Sequence, residues 1–179
     1  GLDDIVLRTR QIESSESDEN NKRLEYQRLY ALISLCEAPR CRRQVLLEYF
    51  DEKIDKCNNC DICDFGIELI DGTIDAQKVL SAIIRTGQRF GVNHIVDLLL
   101  GNETNNIKSF KHNLLPTFGV GKEYSNREWK SIIMQMIAAG HIKVEIAKYG
   151  KLIITKSGNE ILHEGTKFYK RKNNISNLR

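Results

Sequence analysis

Three cysteines, each separated from the next by two residues, constrain this chain more than any other feature. Cys57, Cys60 and Cys63 lie in one short segment, and Cys41 lies one helix-length upstream. Zn²⁺ prefers four soft ligands in a tetrahedron, and cysteine thiolates supply them. Cysteines this close together rarely form ordinary disulfide bridges. The spacing therefore predicts that these four cysteines hold one structural zinc ion.

The wider segment around the cysteines resembles a known family. The run CRRQVLLEYF at residues 41–50, followed by CNNCDIC at 57–63, closely resembles the zinc-binding subdomain of RecQ-type DNA helicases. Three later stretches resemble that family's winged-helix (RQC) domain: DGTIDAQ at 71–77, QRFG at 88–91 and SNREW at 125–129. The resemblance covers residues 15–165, and the cysteine run is its most specific part.

The hydrophobic pattern predicts a mainly α-helical chain in two parts, a helical Cys₄ zinc subdomain followed by a winged helix. The expected divisions are a lead-in (1–14), the zinc subdomain (15–66), a linker (67–74), the winged-helix domain (75–165) and a basic, mobile tail (166–179). No apolar run reaches the length of a membrane span. The acidic start of the chain is not that of a secretory signal, and Gly1 in place of Met suggests a piece of a longer protein.

Two helices are expected in the zinc subdomain. The first begins among the serines and acids of residues 14–19 and ends near Glu37, with an apolar face at Leu29, Leu32, Ile33 and Cys36. Cys36 is interpreted as a core residue rather than a ligand. The second carries Cys41 near its start and buries Val45, Leu46, Tyr49 and Phe50. Arg42 and Arg43 either offset the charge of the metal site or contact phosphate.

Three main helices, room for a further short one, and a hairpin are expected in the second part. One helix carries Val79 to Ile84, a second lies between Gly91 and Gly101, and a short one can lie within residues 102–118. The next begins with a capping box at residues 125–128, buries Trp129 and ends at Gly140. Strands at 142–147 and 152–155 flank a turn. This order is that of a helix-turn-helix with a β-wing.

Charge divides the chain at the same place. Residues 1–74 carry 10 Lys and Arg against 16 Asp and Glu, whereas residues 75–179 carry 17 against 8. The second part therefore has a formal charge of +9, which favours a polyanionic partner such as DNA. The predicted DNA contacts lie on the recognition helix and the wing: Arg127, Lys130, Ser131, Lys143, Lys148, Tyr149 and Lys151.

The resemblance implies that the intact protein is a 3′–5′ ATP-dependent DNA helicase of DNA repair, recombination and replication. ATP and Mg²⁺ would then bind only to motor domains absent from this chain, in which no catalytic constellation is visible. We expect a monomer that binds zinc and duplex, fork or junction DNA, with single-strand-binding or other repair proteins as further partners and no membrane. The expected location is the bacterial cytoplasm, at the nucleoid, or the eukaryotic nucleus.

Two other functions fit the sequence. One is a stand-alone zinc-containing winged-helix transcription regulator, which would prefer one DNA site and usually act as a dimer. The other is a protein-interaction module whose basic face binds an acidic partner. Some RecQ relatives use the wing as a strand-separating wedge. Here the wing is short and Tyr149 is the only aromatic residue at its tip, which argues against that role without deciding it.

Overall fold

The computed structural model describes residues 2–145 and 150–172. Its first part is helical, with elements Leu2–Ser14 (α1), Glu19–Glu37 (α2), Arg42–Glu48 (α3) and Asp61–Phe65 (α4). No element is predicted from the sequence before residue 14, yet α1 packs against α2, where Arg8 pairs with Glu25 at 2.5 Å. Helix α2 ends at Glu37, as expected. None of the described helices combines the length and apolar character needed to cross a membrane.

The second part contains the predicted helices and hairpin. Its elements are Leu69–Asp71 (β1), Thr73–Arg85 (α5), Val92–Leu100 (α6), Asn105–Ser109 (α7), a 3₁₀ turn at His112–Leu114, Asn126–Ala138 (α8), Ile142–Glu145 (β2), Lys151–Ile154 (β3), Lys156–His163 (α9) and Tyr169–Arg171 (β4). Helices α5, α6 and α8 followed by the β2–β3 hairpin are the order of a winged helix, so the predicted fold class is confirmed.

Helix α8 is fixed at its start and along its inner face. The predicted capping box is present, because the Ser125 hydroxyl accepts a bond from the Glu128 N–H and the Glu128 carboxylate accepts one from the Ser125 N–H. Trp129 is fully buried, and its indole N–H donates to the carbonyl of Gly121 at 2.6 Å. A side chain at Gly121 would collide with this ring, since a Cβ there would lie 2.7 Å from it. Trp129 is thus a core anchor, as predicted.

The wing is a short antiparallel hairpin, and the loop after α5 makes further hydrogen bonds along one of its edges. Ile142 pairs with Ile154 and Glu145 with Lys151. The loop after α5 lies along the other edge of β3, where the Leu152 N–H donates to the Phe90 carbonyl at 3.0 Å. The Ile154 N–H donates to the side chain of Gln88 at 2.8 Å. The predicted wing tip, with Lys148 and Tyr149, lies outside the described residues.

The end of the chain differs most from the sequence-based expectation. Residues 67–74 are predicted as a linker and 166–179 as a mobile basic tail, but β1 and β4 pair antiparallel, with Ile70 opposite Lys170. The tail as far as residue 172 is therefore part of the fold. Helix α9 lies between the wing and β4 along the chain and is not among the helices that the sequence predicts. Its N-cap is Thr155, whose hydroxyl accepts a bond from the Gly158 N–H.

The predicted apolar faces of the zinc subdomain are only partly buried. Leu46, Tyr49 and Phe50 are 46%, 57% and 63% exposed, so their predicted burial is wrong. Helix α3 ends at Glu48, which leaves Tyr49 and Phe50 in the following turn, away from the helical face on which the prediction placed them. On α2, Ile33 is buried but Leu32 is exposed. Helical periodicity identifies the apolar face of a helix, but no described segment covers the exposed residues Leu32 and Leu46.

Candidate metal centre and nucleic-acid interface

The four predicted ligands meet at one point. The sulfur atoms of Cys41, Cys57, Cys60 and Cys63 all lie within 4.8 Å of one another. Cys41 is buried, and the other three are half-buried. The Cys57 and Cys63 sulfurs are 4.0 Å apart. Tetrahedral Zn²⁺ with bonds of about 2.3 Å would place its sulfurs about 3.8 Å apart, so the arrangement suits this metal.

Helix starts and a tight turn bring these sulfurs together. Cys41 is the N-cap of α3, and Cys60 is the N-cap of α4, one turn before Cys63. Asn58 has a positive φ of 50°, a conformation that asparagine tolerates better than most residues and that lets the chain turn within two residues. The Cys57 N–H donates to the Cys41 sulfur at 3.3 Å. The two-residue gaps therefore act as the spacing predicts.

Main-chain donors and crowding push the thiol pKa values in opposite directions. The Cys57 N–H holds the pKa of Cys41 at about 6, and the Arg42 N–H lowers the pKa of Cys60. Loss of solvation, together with the neighbouring Cys60 thiol, raises the pKa of Cys63 to about 12. Four thiols at one point cannot all ionise unless a cation shares the charge. The donor set therefore fits a resident divalent metal.

Arg42 ties the cysteine cluster to the end of α2. Its guanidinium donates to the carbonyls of Leu35 at 2.6 Å and Cys36 at 2.9 Å, and it pairs with Asp61 at 3.0 Å. These carbonyls belong to the last turn of α2, where helix carbonyls lack internal partners. These bonds give Arg42 a structural role that differs from both predicted ones, which were to offset the charge of the metal site or to contact phosphate. Arg43 is exposed.

Replacing Arg42 with alanine is expected to destabilise the first part by on the order of 2 kcal/mol, because charged hydrogen bonds to carbonyls and a carboxylate are lost. The measurement is thermal unfolding of the zinc-loaded protein, together with the rate of zinc release to a chelator. Arg40→Ala is the matched control, since Arg40 pairs with Glu48 where both side chains are about half exposed. Such pairs contribute less than about 1 kcal/mol. Equal effects of the two substitutions would contradict the role of Arg42.

Cys36 lies outside the cluster. It is exposed and is not among the four convergent sulfurs, so its interpretation as a core residue is wrong, whereas its exclusion from the ligand set agrees with the structure. The main-chain carbonyl of Cys36, and not its thiol, makes the contacts, because it accepts hydrogen bonds from both Arg42 and Arg171.

The predicted recognition helix presents only its first turns. Arg127 is exposed and Lys130 is half-buried. Further along, Gln135 is 2% exposed and its amide donates to the Ser131 hydroxyl at 3.3 Å. Its carbonyl oxygen accepts from the Arg171 N–H of β4 at 2.7 Å. Ser131, predicted as a DNA contact, is therefore engaged within the protein, and α2 also packs against α8.

Two predicted wing lysines differ in their surroundings. Lys143 on β2 is exposed. Lys151 on β3 pairs with Glu145 across the hairpin at 2.7 Å, and its side chain is 19% exposed. Lys143 therefore has no carboxylate partner among the residues that the structure describes, whereas the charge of Lys151 is largely offset by Glu145. Lys148 and Tyr149 remain predictions.

Each part of the chain matches the model of a known protein family. Residues 2–64 match the model described as RecQ zinc-binding, and residues 66–178 match the RQC domain. This chain belongs to the RecQ family. The match explains the cysteine cluster and the winged helix together, and a RecQ zinc-binding domain with a Cys₄ cluster supports structural zinc. The first match begins at residue 2, so it includes α1.

RecQ helicases from several bacteria are similar to the chain. It is 44% identical over 133 residues to the ATP-dependent DNA helicase RecQ of Pasteurella multocida, covering 74% of this chain and 21% of that protein. It is 38% identical to the Haemophilus influenzae protein of the same name, covering 79% and 23%. For Bacillus subtilis the identity is 29%, covering 89% and 27%. The chain thus spans about a quarter of these relatives.

Sequence reasoning missed two cations of β4, one that joins the two parts of this RecQ chain and one that is buried within the second part. Arg171 on β4 pairs with Glu37 at the end of α2. The neighbouring Lys170 is 5% exposed and pairs with Asp75 at 2.7 Å, while its ammonium also donates to the Tyr124 hydroxyl. The signal available was the alternation of the buried Phe168 and Lys170 with an exposed residue between them, but four cations in a terminal segment (Lys167, Lys170, Arg171 and Lys172) suggested a solvated tail.

Proposed function

We propose that this chain is the DNA-binding part of an ATP-dependent DNA helicase that moves 3′ to 5′ in DNA repair, recombination and replication. The observation that carries the proposal is the match of the zinc-binding and RQC parts, in that order, to relatives named ATP-dependent DNA helicase RecQ. ATP and Mg²⁺ then bind to motor domains outside this chain. One zinc ion on Cys41, Cys57, Cys60 and Cys63 holds the first part together.

The second part supplies the DNA-binding surface. The DNA that it binds is a duplex, a fork or a junction. Several of its cations have no ion-pair partner among the described residues: Arg85, Arg89, Lys111, Lys122, Arg127, Lys130, Lys143 and Lys156. Cations without carboxylate partners can replace the counterions that surround DNA phosphates, and their release drives binding. In the first part, by contrast, acids outnumber bases.

Replacing Arg127 and Lys130 together with alanine is expected to weaken duplex binding by at least about tenfold. Both residues lie in the first turns of α8, which in a helix-turn-helix come closest to the groove. Each lost phosphate contact should also flatten the plot of log affinity against log salt by about 0.9. Fluorescence anisotropy with a labelled duplex at several salt concentrations measures both effects.

Arg10→Ala with Arg23→Ala is the matched control, because both arginines are exposed on the first two helices. This variant should bind DNA as the parent does. Full duplex affinity in the folded Arg127/Lys130 variant would place binding on another face. Strong preference for a single DNA sequence would favour the transcription regulator, and no DNA binding at all would favour the protein-interaction module.

A further inference from the structure

Four rings form a cluster beside the wing, and the most exposed of them is that of Phe110. Phe90 stacks on His94, with 3.9 Å between ring centroids, and meets the edge of Phe110 at 4.9 Å. His112 lies nearly parallel to Phe110, with an interplanar angle of 26°. His112 is buried, whereas Phe110 is 48% exposed. One face or edge of the Phe110 ring is therefore presented to solvent on a fixed base.

The two histidines make this base rigid. His94 Nε2 and His112 Nδ1 are 2.8 Å apart, which requires one ring to donate and the other to accept. Burial lowers the pKa of His94 to about 4 and also lowers that of His112. Both rings are then neutral near pH 7, so the hydrogen bond between them is maintained.

A strained lysine follows the exposed ring. Lys111 has a φ of 55°, a left-handed conformation that disfavours side chains other than glycine and asparagine. Its N–H donates to the Lys108 carbonyl, and its own carbonyl accepts from the Leu114 N–H, so the turn fixes it. Lys111 is exposed and has no ion-pair partner among the described residues. Left-handed backbone at a residue other than glycine is often kept at binding sites.

The ring cluster is continuous with the wing. The Phe90 carbonyl accepts the Leu152 N–H of β3, so the residue under Phe110 is bonded to the hairpin itself. A nucleic-acid strand lying along the wing would therefore pass close to the exposed Phe110 ring, with the cation of Lys111 next to it. This pairing of ring and cation is how proteins hold single strands without reading their sequence.

We propose that Phe110 and Lys111 form a single-stranded DNA site, in which a base stacks on the Phe110 ring and Lys111 contacts the adjacent phosphate. The proposal rests on the DNA-binding function above and adds a second class of DNA to it. A protein partner docking on apolar surface would use Leu114 too, which is 75% exposed in the following turn. A base needs a π face, which Leu114 lacks.

The test uses the zinc-loaded chain and fluorescence anisotropy with three probes: oligo-dT, an abasic strand of equal length and a blunt duplex. The parent chain should bind oligo-dT more tightly than the abasic strand. Phe110→Ala should lower the oligo-dT affinity by about five- to 100-fold and remove the preference for bases, while Phe110→Tyr keeps both. The affinity of Phe110→Ala for the blunt duplex should change little.

Lys111→Gly separates charge from backbone conformation, because glycine adopts a positive φ without strain. This variant should bind both single strands more weakly and flatten the salt slope by about 0.7. Two controls should leave oligo-dT binding unchanged: Leu114→Ala, and Phe65→Ala on the acidic first part, where Phe65 is 89% exposed.

The outcomes separate this site from the general function. Unchanged oligo-dT affinity in Phe110→Ala, or an equal loss in Leu114→Ala, overturns the stacking site even if duplex is bound normally. Failure of the parent chain to bind any of the three probes overturns both the site and the DNA-binding function. Loss of oligo-dT binding in Phe110→Ala with duplex binding intact supports both.

Discussion

We expect Cys60→Ser to abolish zinc binding and to unfold the first part of the chain. Binding of structural zinc by small domains is worth about 10–16 kcal/mol, and this free energy is the folding free energy of the segment that binds it. Serine is a favoured N-cap, so the substitution keeps the start of α4 while removing the thiolate. Any loss of structure can therefore be assigned to the metal. Native mass spectrometry should detect one zinc in the parent and none in the variant.

The signal of Trp129 shows whether the second part stays folded when the first part unfolds. It is the only tryptophan and lies in the core of the second part. Its near-ultraviolet signal should persist in Cys60→Ser, while the far-ultraviolet signal of the first helices falls. Cys36→Ala is the matched control, since this exposed thiol lies outside the cluster and its loss should leave the zinc in place. A Cys60→Ser protein that retained zinc and thermal stability would refute the ligand assignment.

Local chemistry explains why parts of this fold can be predicted from the sequence. The two-residue gaps between cysteines, the capping box at Ser125 and the αL glycine at Gly101 each depend on a few adjacent residues. Their requirements are satisfied within one turn, whatever surrounds them. The helices of the winged helix, their order and the cysteine cluster follow from such signals.

The errors lie where burial depends on distant segments. Phe50 and Ile33 look alike in sequence, yet only Ile33 is covered. Lys170 carries a charge and would ordinarily be solvated, but a partner nearly a hundred residues earlier, Asp75, allows it to be buried. A charged residue indicates an exposed position only when no residue of opposite charge is buried where the two could pair. The pairing of Lys170 with Asp75 cannot be recognised from the sequence around Lys170 alone.

Lys170→Met should destabilise the second part by about 3–5 kcal/mol, the second large effect that we expect. Methionine matches the length of the lysine stem but leaves the Asp75 carboxylate, 8% exposed, without its ammonium partner. Removing one member of a buried ion pair costs this much because the other charge stays buried. The pKa of Lys170 is raised although burial opposes its charge, because the bonds to Asp75 and Tyr124 outweigh that cost.

Trp129 fluorescence during urea unfolding measures this loss, since Tyr124 lies between Lys170 and the Trp129 ring, 5.3 Å from the latter. Lys172→Met is the matched control: this cation is two residues along the chain and pairs with Glu68 where both are about half exposed. Its loss should cost less than about 1 kcal/mol.

A second substitution separates the loss of the pair from a loss of packing. Lys170→Met combined with Asp75→Leu removes both charges, and most of the stability should return, because apolar replacements of a buried pair are often neutral or stabilising. If the double variant were as unstable as Lys170→Met, the stem of Lys170 and not its charge would be what β4 contributes. If Lys170→Met and Lys172→Met were equally mild, the C-terminal segment would behave as the solvated tail that its composition suggests, and the pairing of β4 with β1 would contribute little to the fold.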